Sequence, residues 1–482
     1  MKAARATVLL LMLGAGLAAA GQDLTVRITI HASQPTVARI EGHFLRAQGV
    51  PNLSFQHSYA GVPDLDARIS DLKLADANKQ PVEYKGLQPG EYLAESNVTW
   101  FIYAVDLKPT NNPLAAAHVS WLGTDGGMLA LDDLLPQPTD THVRVTFQLP
   151  IGWRFISNED HPAEDVLDVH NAQRAVVFVG KGWRVSAVYG TRLKLVLAGD
   201  PGVSDTTIST ETGALYKAYS AMFGSAPGGP AEQIVVAKFP ASVPSGRWEA
   251  ETRGSTVTIM TSGGLSPADS EQRLHQQLRH ELFHLWIPNG VNLTGNYDWF
   301  YEGFATYEEQ KLGVEMNQIR FEDFLATLGR AYDIDGLTSP RRSLIDASRD
   351  RWAGSSSQVY ARGMLVAFLI DIALLDASKG KSTAESLLRQ IFEEHRPPAT
   401  ASDGNDAIIA AMRVHPELAP IVDDYISGSK PVDPTLLFQK AGIQVTIKDQ
   451  LTQLTVADKL SGRQKALLDK LGYNSWRKLA PK

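Results

Sequence analysis

The stretch SPADSEQRLHQQLRHELFHLWIPNGVNLTGNYDWFYEGFATYEEQKLG, residues 266–313, decides how the rest of the chain is interpreted. It contains the motif H-E-x-x-H, formed by His280, Glu281 and His284, and Glu302 follows further along. Positions i and i+4 of a helix lie about one turn apart on one face, so both imidazoles can reach a single metal ion. Glu281 lies between them and is placed to polarise a metal-bound water rather than to bind the metal.

The surrounding residues predict the helix that this motif needs. Ser266 is a typical N-cap, Pro267 a typical first residue, and Asp269 an acid in the first turn. An apolar stripe of four leucines follows on a different face from the histidines, and Pro-Asn-Gly at 288–290 ends the helix. A carboxylate from the next helix, Glu302, would complete three protein ligands and leave a fourth position open. That is the ligand set of a catalytic zinc site holding one ion.

Composition narrows the possible functions. The chain carries a net charge of −7 with no long basic run, which argues against a nucleic acid partner. Hydrophobic residues make up 44% and charged residues 21%, as in ordinary globular proteins. The chain has no cysteine, so a zinc ion would have to be held by histidine and carboxylate.

The first twenty residues have the pattern of an export signal. Lys2 and Arg5 precede an apolar run, and three alanines at 18–20 form an A-x-A site, with cleavage predicted after Ala20. We therefore expect a periplasmic or extracellular protein. No second apolar segment of membrane length is predicted in the mature chain, because Met364–Leu375 is short, contains an aspartate and fits a buried core helix. The oligomeric state is left open.

The chain is predicted to be a multidomain α+β protein. Residues 21–199 are rich in β-branched and aromatic residues separated by turns, which predicts a β-sandwich-like domain. The scattered histidines of that domain are expected to have surface or core roles. Residues 200–442 predict a mostly helical domain, in which a long polar loop, 333–354, could rim a cleft, and residues 443–482 predict a short C-terminal segment with one strand and one helix.

Three patches carry a family resemblance. H-E-L-F-H-x-W, E-G-F-A-x-Y and Val359–Gly363 resemble the gluzincin aminopeptidases, and the chain is most similar to the glycyl aminopeptidase family, with the aminopeptidase N family as a relative. The resemblance implies a thermolysin-like zinc peptidase domain acting on a peptide or protein substrate. It also implies the roles of the site residues. His280, His284 and Glu302 would bind zinc, and Glu281 would be the general base and then the proton donor. Tyr360 would hydrogen-bond the tetrahedral oxyanion, and Glu251 would bind the α-amine of the substrate.

The sequence also departs from that family. The gap between His284 and Glu302 is short, and the tail after Gly442 is too small for the PDZ domain of glycyl aminopeptidases. The glycines before Glu251 and the histidine after it are absent. Three functions therefore stay open: a secreted zinc aminopeptidase, a zinc endopeptidase of the same clan, and a non-catalytic peptide-binding protein on this fold. A serine hydrolase is disfavoured because no G-x-S-x-G motif is present.

Overall fold

A computed structural model describes residues 24–45, 49–228, 231–433, 435–449 and 451–475. The predicted export signal at residues 1–20 lies outside these ranges. The N-terminal part contains β1 Leu24–His31, β2 Gln34–Phe44, β3 Val50–Ser54, β4 Ile69–Ala75, β5 Pro81–Val82, β6 Tyr84–Gln88, β7 Glu91–Val98, β8 Trp100–Asp106, α1 Pro113–His118, β9 Trp121–Gly123, β10 Gly126–Ala130, β11 Val143–Gln148, β12 Arg154–Ile156, β13 Asp160–Ala163, β14 Val166–Val169 and β15 Val176–Gly180.

The remainder of the chain begins with a sheet and continues mostly as helices. Its elements are β16 Arg184–Ala187, β17 Lys194–Ala198, α2 Asp205–Phe223, β18 Gln233–Lys238, β19 Trp248–Arg253, β20 Thr256–Thr261, α3 Pro267–Phe283, β21 Leu293–Thr294, α4 Asp298–Glu315, α5 Phe321–Leu337, α6 Leu344–Arg349, α7 Gly363–Ser378, α8 Ala384–His395, β22 Ser402–Asp403, α9 Gly404–Arg413, α10 Ala419–Ile421, α11 Thr435–Lys440, β23 Ile443–Lys448, β24 Leu451–Val456 and α12 Gly462–Lys470.

Two sheets form the predicted sandwich. An eight-stranded sheet, ordered β13-β14-β11-β1-β2-β8-β4-β5, packs on a four-stranded sheet, ordered β12-β15-β10-β9. Strand β15 shows how the layers share side chains, because successive residues of a strand point to opposite faces. Val177 and Val179 lie in the sandwich core, whereas Val176 and Phe178 lie in a second core on the other face. That second core also contains Val235 and Met260 of the neighbouring sheet, so the four-stranded sheet is buried on both sides.

A five-stranded sheet, ordered β16-β17-β18-β20-β19, supports the candidate site. Strands β17, β18 and β20 are parallel, and β19 pairs antiparallel with β20 at one edge. The sheet crosses the predicted boundary at residues 199/200, since β16 and β17 lie before it, β16 pairs with β17, and β17 pairs with β18 after it. Strand β19 carries Glu251 and Thr252 and runs beside α3.

The predicted core helix spans the middle of the helical region. A π-helical turn, Gln358–Arg362, leads directly into α7. Within the described residues this continuous segment, Gln358–Ser378, is long and apolar enough to cross a membrane, but 94% of its apolar window is buried inside the protein. It packs against α4, and the two helices form the scaffold of the site.

Two segments differ from the sequence-based expectation. The polar segment 333–354 is partly helical, because α5 continues to Leu337 and α6 follows. The C-terminal segment contains a two-stranded hairpin, β23 and β24, where the sequence predicted one strand. Its buried side chains, among them Ile443 and Leu454, join the same core as the helices of the preceding region.

Candidate metal centre

Helix α3 presents the two histidines of the motif. The Ser266 hydroxyl accepts a hydrogen bond from the Asp269 backbone N–H, and Pro267 is the first helical residue, as predicted. His280 lies in the last turn of α3, and His284 is the C-cap residue. The leucine stripe on the other face of α3 is fully buried, so the helix is fixed with both imidazoles directed at α4.

Glu302 reaches the histidines from the first turns of α4. Its position is set by a close crossing of two backbones, because Gly303 of α4 meets Gly363 at the start of α7. A Cβ added at Gly303 would lie 2.6 Å from the Gly363 backbone, a separation that side chains essentially never show. This contact brings the turn that carries Tyr360 beside the helix that carries Glu302.

The three predicted ligands converge on one point. His280 Nε2 lies 3.3 Å from His284 Nε2 and 3.2 Å from Glu302 Oε2, and His284 Nε2 lies 3.5 Å from Glu302 Oε2. Zinc bonds of about 2.0–2.1 Å at tetrahedral angles place ligand atoms roughly 3.3–3.4 Å apart. The nitrogen and oxygen donors therefore fit a zinc ion. This is the one such group of three found among the described residues.

Hydrogen-bond partners on the far side of each imidazole orient the metal-facing nitrogens. His280 Nδ1 lies 3.4 Å from Glu309 Oε2, and His284 Nδ1 lies 3.1 Å from the Ile287 carbonyl oxygen. A proton on each Nδ1 satisfies these acceptors and leaves both Nε2 atoms free as ligands. The sequence analysis did not identify Glu309, although it lies two helical turns after Glu302 on the same face of α4.

Burial and charge act against each other at these ligands. Burial opposes a charge on His280, but hydrogen bonds to Glu302 and Glu309 outweigh it and raise the pKa of His280 above its ordinary value. Burial would raise the pKa of Glu302, but the positive charge of Arg351 and the contacts with the histidines hold that pKa well below its usual range. Glu302 is therefore the ionised carboxylate that a cation requires.

Glu281 stands beside the ligands without being one of them. The Thr252 hydroxyl of β19 lies 2.8 Å from Glu281 Oε2 and from the Glu281 carbonyl oxygen. The side chain lines a cleft of about 500 Å³ that also contains all three ligands. Thr252 therefore fixes the carboxylate at the wall of the cleft, where it can exchange a proton with a bound molecule.

Tyr360 faces the same cleft from the π-helical turn before α7. Its ring centroid lies 6.3 Å from that of His280, and its hydroxyl oxygen accepts a 2.5 Å hydrogen bond from Arg351. Burial and the negative charge of Glu302 raise the pKa of Tyr360 well above 10, so the hydroxyl keeps its proton and can donate it in a hydrogen bond. Single π-helical turns often mark functional sites, and this one directs the tyrosine at the ligands.

Glu251 lies at another wall of the cleft, within a group of hydrogen-bond donors. The Tyr59 hydroxyl hydrogen-bonds to Oε1, Arg253 Nη2 lies 3.5 Å from Oε1, and His118 Nδ1 lies 2.8 Å from Oε2. Burial acts to raise the pKa of Glu251, but the charges of Arg253 and His118 prevail and lower it to about 2. The carboxylate is ionised and already neutralised by its own neighbours.

Tyr59 and His118 belong to the N-terminal part of the chain, where the sequence offered no catalytic constellation. His118 was expected to be an ordinary surface or core histidine, but it lines the cleft, and its pKa is raised by Glu251 although burial opposes this. Its ring also lies 6.5 Å from that of Trp352 at the cleft. Neither residue belongs to a sequence motif, because each reaches the cleft only through the packing of the N-terminal part on the remainder of the chain.

Comparisons with known proteins place this geometry in context. No protein-family model and no curated protein matches the chain by sequence. Among solved structures, an aminopeptidase N family protein from Idiomarina loihiensis is similar over 91% of this chain and 82% of its own, with a TM-score of 0.73 and 16% identity. An M1 zinc metallopeptidase from Deinococcus radiodurans covers 85% of this chain and 96% of its own, with a TM-score of 0.54 and 15% identity.

A mutant of the Deinococcus radiodurans enzyme bound to a Tyr-Ser-Ala substrate matches with the same TM-score of 0.54 and 14% identity. At these identities the likeness concerns the fold. The prediction of a multidomain α+β protein with a β-rich N-terminal domain and a helical C-terminal part is confirmed. The chain has the architecture of the aminopeptidase N-like gluzincin metallopeptidases.

Proposed function

We propose that this protein is a zinc metallopeptidase that hydrolyses peptide bonds. One observation carries the proposal: His280, His284 and Glu302 form a zinc-sized triangle of ligand atoms, and Glu281 stands beside it without belonging to it. Three protein ligands with a separate carboxylate base suit hydrolysis, whereas a structural zinc site has four protein ligands. The shared fold with zinc metallopeptidases supports the same reading.

The residues of this chain supply the proton transfers. When bound, the zinc ion would contribute Lewis acidity that polarises the scissile carbonyl and acidifies a water molecule. Glu281, held by Thr252, accepts a proton as water attacks the carbonyl carbon and returns it to the leaving amine. Tyr360 donates a hydrogen bond to the developing oxyanion, since its high pKa keeps the hydroxyl protonated.

An aminopeptidase preference is the first candidate for substrate class. The Deinococcus radiodurans metallopeptidase of the same fold binds a Tyr-Ser-Ala substrate, and Glu251 is an ionised carboxylate in the cleft. A carboxylate at this place can receive the α-ammonium group of a peptide, because charge-assisted hydrogen bonds to ammonium are strong.

A second candidate, a zinc endopeptidase, is favoured by the surroundings of Glu251. The guanidinium of Arg253 and the imidazole of His118 balance its charge, and Tyr59 occupies a further acceptor position. An ammonium group then gains less at this wall than it would beside an unpaired carboxylate, because it must share Glu251 with two other cationic groups. Peptides without a free α-amine would be accepted in the same cleft.

The test combines metal analysis with four probes: alanine 4-nitroanilide, its N-acetyl form, a free tripeptide, and an internally quenched peptide blocked at both ends. We expect one zinc per chain, and kcat in Glu281→Gln lower by about 10²–10⁴ with zinc retained. Glu271→Gln, an exposed change on the same helix, is the control. Activity retained in Glu281→Gln would refute the mechanism, and the ratio of rates on free and blocked probes decides between the two candidates.

We also propose that the protein is exported. The proposal rests on Lys2, Arg5 and the apolar run that follows them, with cleavage after Ala20. Cell fractionation followed by N-terminal sequencing of the mature protein tests it. The expected first residue is Gly21, and recovery of the full-length chain in the cytoplasm would contradict the proposal.

A further inference from the structure

Arg351 follows α6 and extends into the base of the cleft, where it contacts three functional groups. Its Nη1 lies 3.0 Å from Asp298 Oδ1, and its Nη2 lies 2.8 Å from Glu302 Oε1 and 2.5 Å from the Tyr360 hydroxyl oxygen. We propose that Arg351 is a positioning residue that holds the third zinc ligand and the oxyanion tyrosine in one arrangement. The inference rests on the proposed function, and it concerns a residue that no motif identifies.

The contact with Glu302 determines which carboxylate oxygen is available. Oε1 is occupied by Arg351, and Oε2 is the oxygen that lies within 3.5 Å of both histidine Nε2 atoms. A guanidinium cannot give up its proton or rotate into an acceptor, so it keeps the distal oxygen engaged. Glu302 is thereby fixed to present a single oxygen to the metal position. Partners of this kind commonly tune metal affinity.

The contact with Tyr360 determines the direction of the tyrosine proton. Arginine has five N–H donors and no acceptor, so in this pair the tyrosine oxygen must accept. The hydroxyl proton of Tyr360 is then directed away from Arg351 and towards the acceptors of the cleft. A hydroxyl whose own oxygen accepts a charge-assisted hydrogen bond is also a stronger donor. Arg351 thus orients the donor that the oxyanion needs.

The third contact anchors the arginine. Asp298 is the first residue of α4 and stands one helical turn before Glu302, so the two carboxylates share a face of the helix. The planar guanidinium spans both, and it lies 4.5 Å from the centroid of the Trp352 ring, which covers it on the outside. The side chain is only 11% exposed. Only an arginine can both bridge two carboxylates with a planar group and stack on an aromatic ring, since a lysine ammonium is a point charge.

Arg351→Met and Arg351→Lys test the proposal, with Arg349→Met as the matched control because Arg349 is 63% exposed and pairs only with Asp346 among the contacts described. Zinc affinity is measured by competition with a chromogenic chelator, and kinetics are measured at saturating zinc on alanine 4-nitroanilide and the quenched peptide. In Arg351→Met we expect the zinc dissociation constant to rise about 10–100-fold. We also expect kcat to fall about 100-fold while KM changes less than about threefold.

The proposal is overturned if either the zinc dissociation constant or kcat of Arg351→Met stays within about threefold of its value in the Arg349→Met control. If Arg351→Met does not fold, Arg351→Lys is judged by the same criteria, because it keeps the charge and loses the planar fork. The route through Tyr360 is tested by a double-mutant cycle. In the Tyr360→Phe background the effect of Arg351→Met on kcat should shrink to about threefold or less, and an undiminished effect overturns that route.

The two proposals fail in different ways. Wild-type protein that binds zinc and cleaves none of the probes refutes the peptidase function. The zinc affinity of the Arg351 variants then still decides whether Arg351 positions Glu302, because that measurement needs no substrate. If the wild-type protein cleaves the probes and the Arg351 variants bind zinc as tightly as the wild type does, only the positioning role of Arg351 is refuted.

Discussion

Gly303→Ala is a small change with a large expected effect on catalysis. Gly303 follows the third ligand directly, and its Cα faces the backbone of Gly363, three residues after Tyr360. A Cβ at position 303 would lie 2.6 Å from both the Cα and the carbonyl carbon of Gly363, and 2.9 Å from its carbonyl oxygen. No flexible side chain can move aside, so the two helices themselves must separate.

The separation can be estimated from these distances. Ordinary carbon–carbon contact requires about 3.5–4.0 Å, so α4 and α7 must move apart by roughly 1 Å. Overpacking of this kind destabilises the folded protein by about 1–3 kcal/mol, whereas replacing a helical glycine by alanine stabilises the helix by about 0.8–1 kcal/mol. The net loss of stability is therefore modest. A displacement of about 1 Å between Glu302 and Tyr360 can lower the rate about 100-fold.

Gly336→Ala is the matched control, because Gly336 also lies in a helix, α5, and a Cβ there would meet nothing within 4 Å. Urea unfolding, zinc content and steady-state kinetics are measured for both variants. We expect Gly336→Ala to be slightly more stable with unchanged kinetics. The reasoning is wrong if Gly303→Ala keeps the wild-type kcat and gains as much stability as the control.

Three further predictions concern single side chains. Glu309→Gln should weaken zinc binding about 10–100-fold in chelator competition, because the amide orients His280 less strongly than the carboxylate, and unchanged affinity would exclude that role. Tyr360→Phe should lower kcat about 10²–10³-fold with little change in KM, measured at saturating zinc, and a loss confined to KM would contradict an oxyanion role. Glu251 has a pKa lowered from 4.5 to about 2, so its ionisation contributes stability above about pH 4.5 that disappears as the pH falls towards 2. This lowering of the pKa corresponds to roughly 3 kcal/mol of stability. The difference in unfolding free energy between wild type and Glu251→Gln should therefore decrease from pH 7 to pH 3 in urea titrations. A difference that stays constant would refute the lowered pKa of Glu251.

The parts of the site that could be predicted are those encoded by local spacing. The i, i+4 relation of His280 and His284 and the capping residues around Ser266 act within one helix, so the sequence determines them almost alone. Glu309 could have been found in the same way, because it repeats the face of Glu302 two turns later. The family resemblance supplied the role of Tyr360, which local spacing could not, since α4 and α7 are far apart in the chain.

The residues that were missed depend on contacts between distant segments. Arg351 follows a short helix in a segment that the sequence predicted as a polar loop. Nothing in the residues next to it in the sequence indicates that its side chain reaches α4. Tyr59 and His118 enter the cleft only because the β-sandwich packs on the five-stranded sheet through a shared core. Strand pairing is similarly non-local, since β16 and β17 follow the β-rich region directly in the sequence, whereas β17 pairs with the more distant β18.

Two buried carboxylates of the cleft, Glu302 and Glu251, have a similar arrangement but different proposed roles. Glu302 is paired with Arg351, and Glu251 is paired with Arg253, so each of the two has a guanidinium beside it. At the metal centre this pairing leaves one oxygen free for a doubly charged ion, whose attraction far exceeds that of the neighbouring arginine. At Glu251 the incoming group would be a singly charged ammonium, which competes with Arg253 and His118 on nearly equal terms. The same arrangement therefore permits metal binding and weakens the attraction of a free amine, and this difference in charge is what favours the second proposed candidate, a zinc endopeptidase.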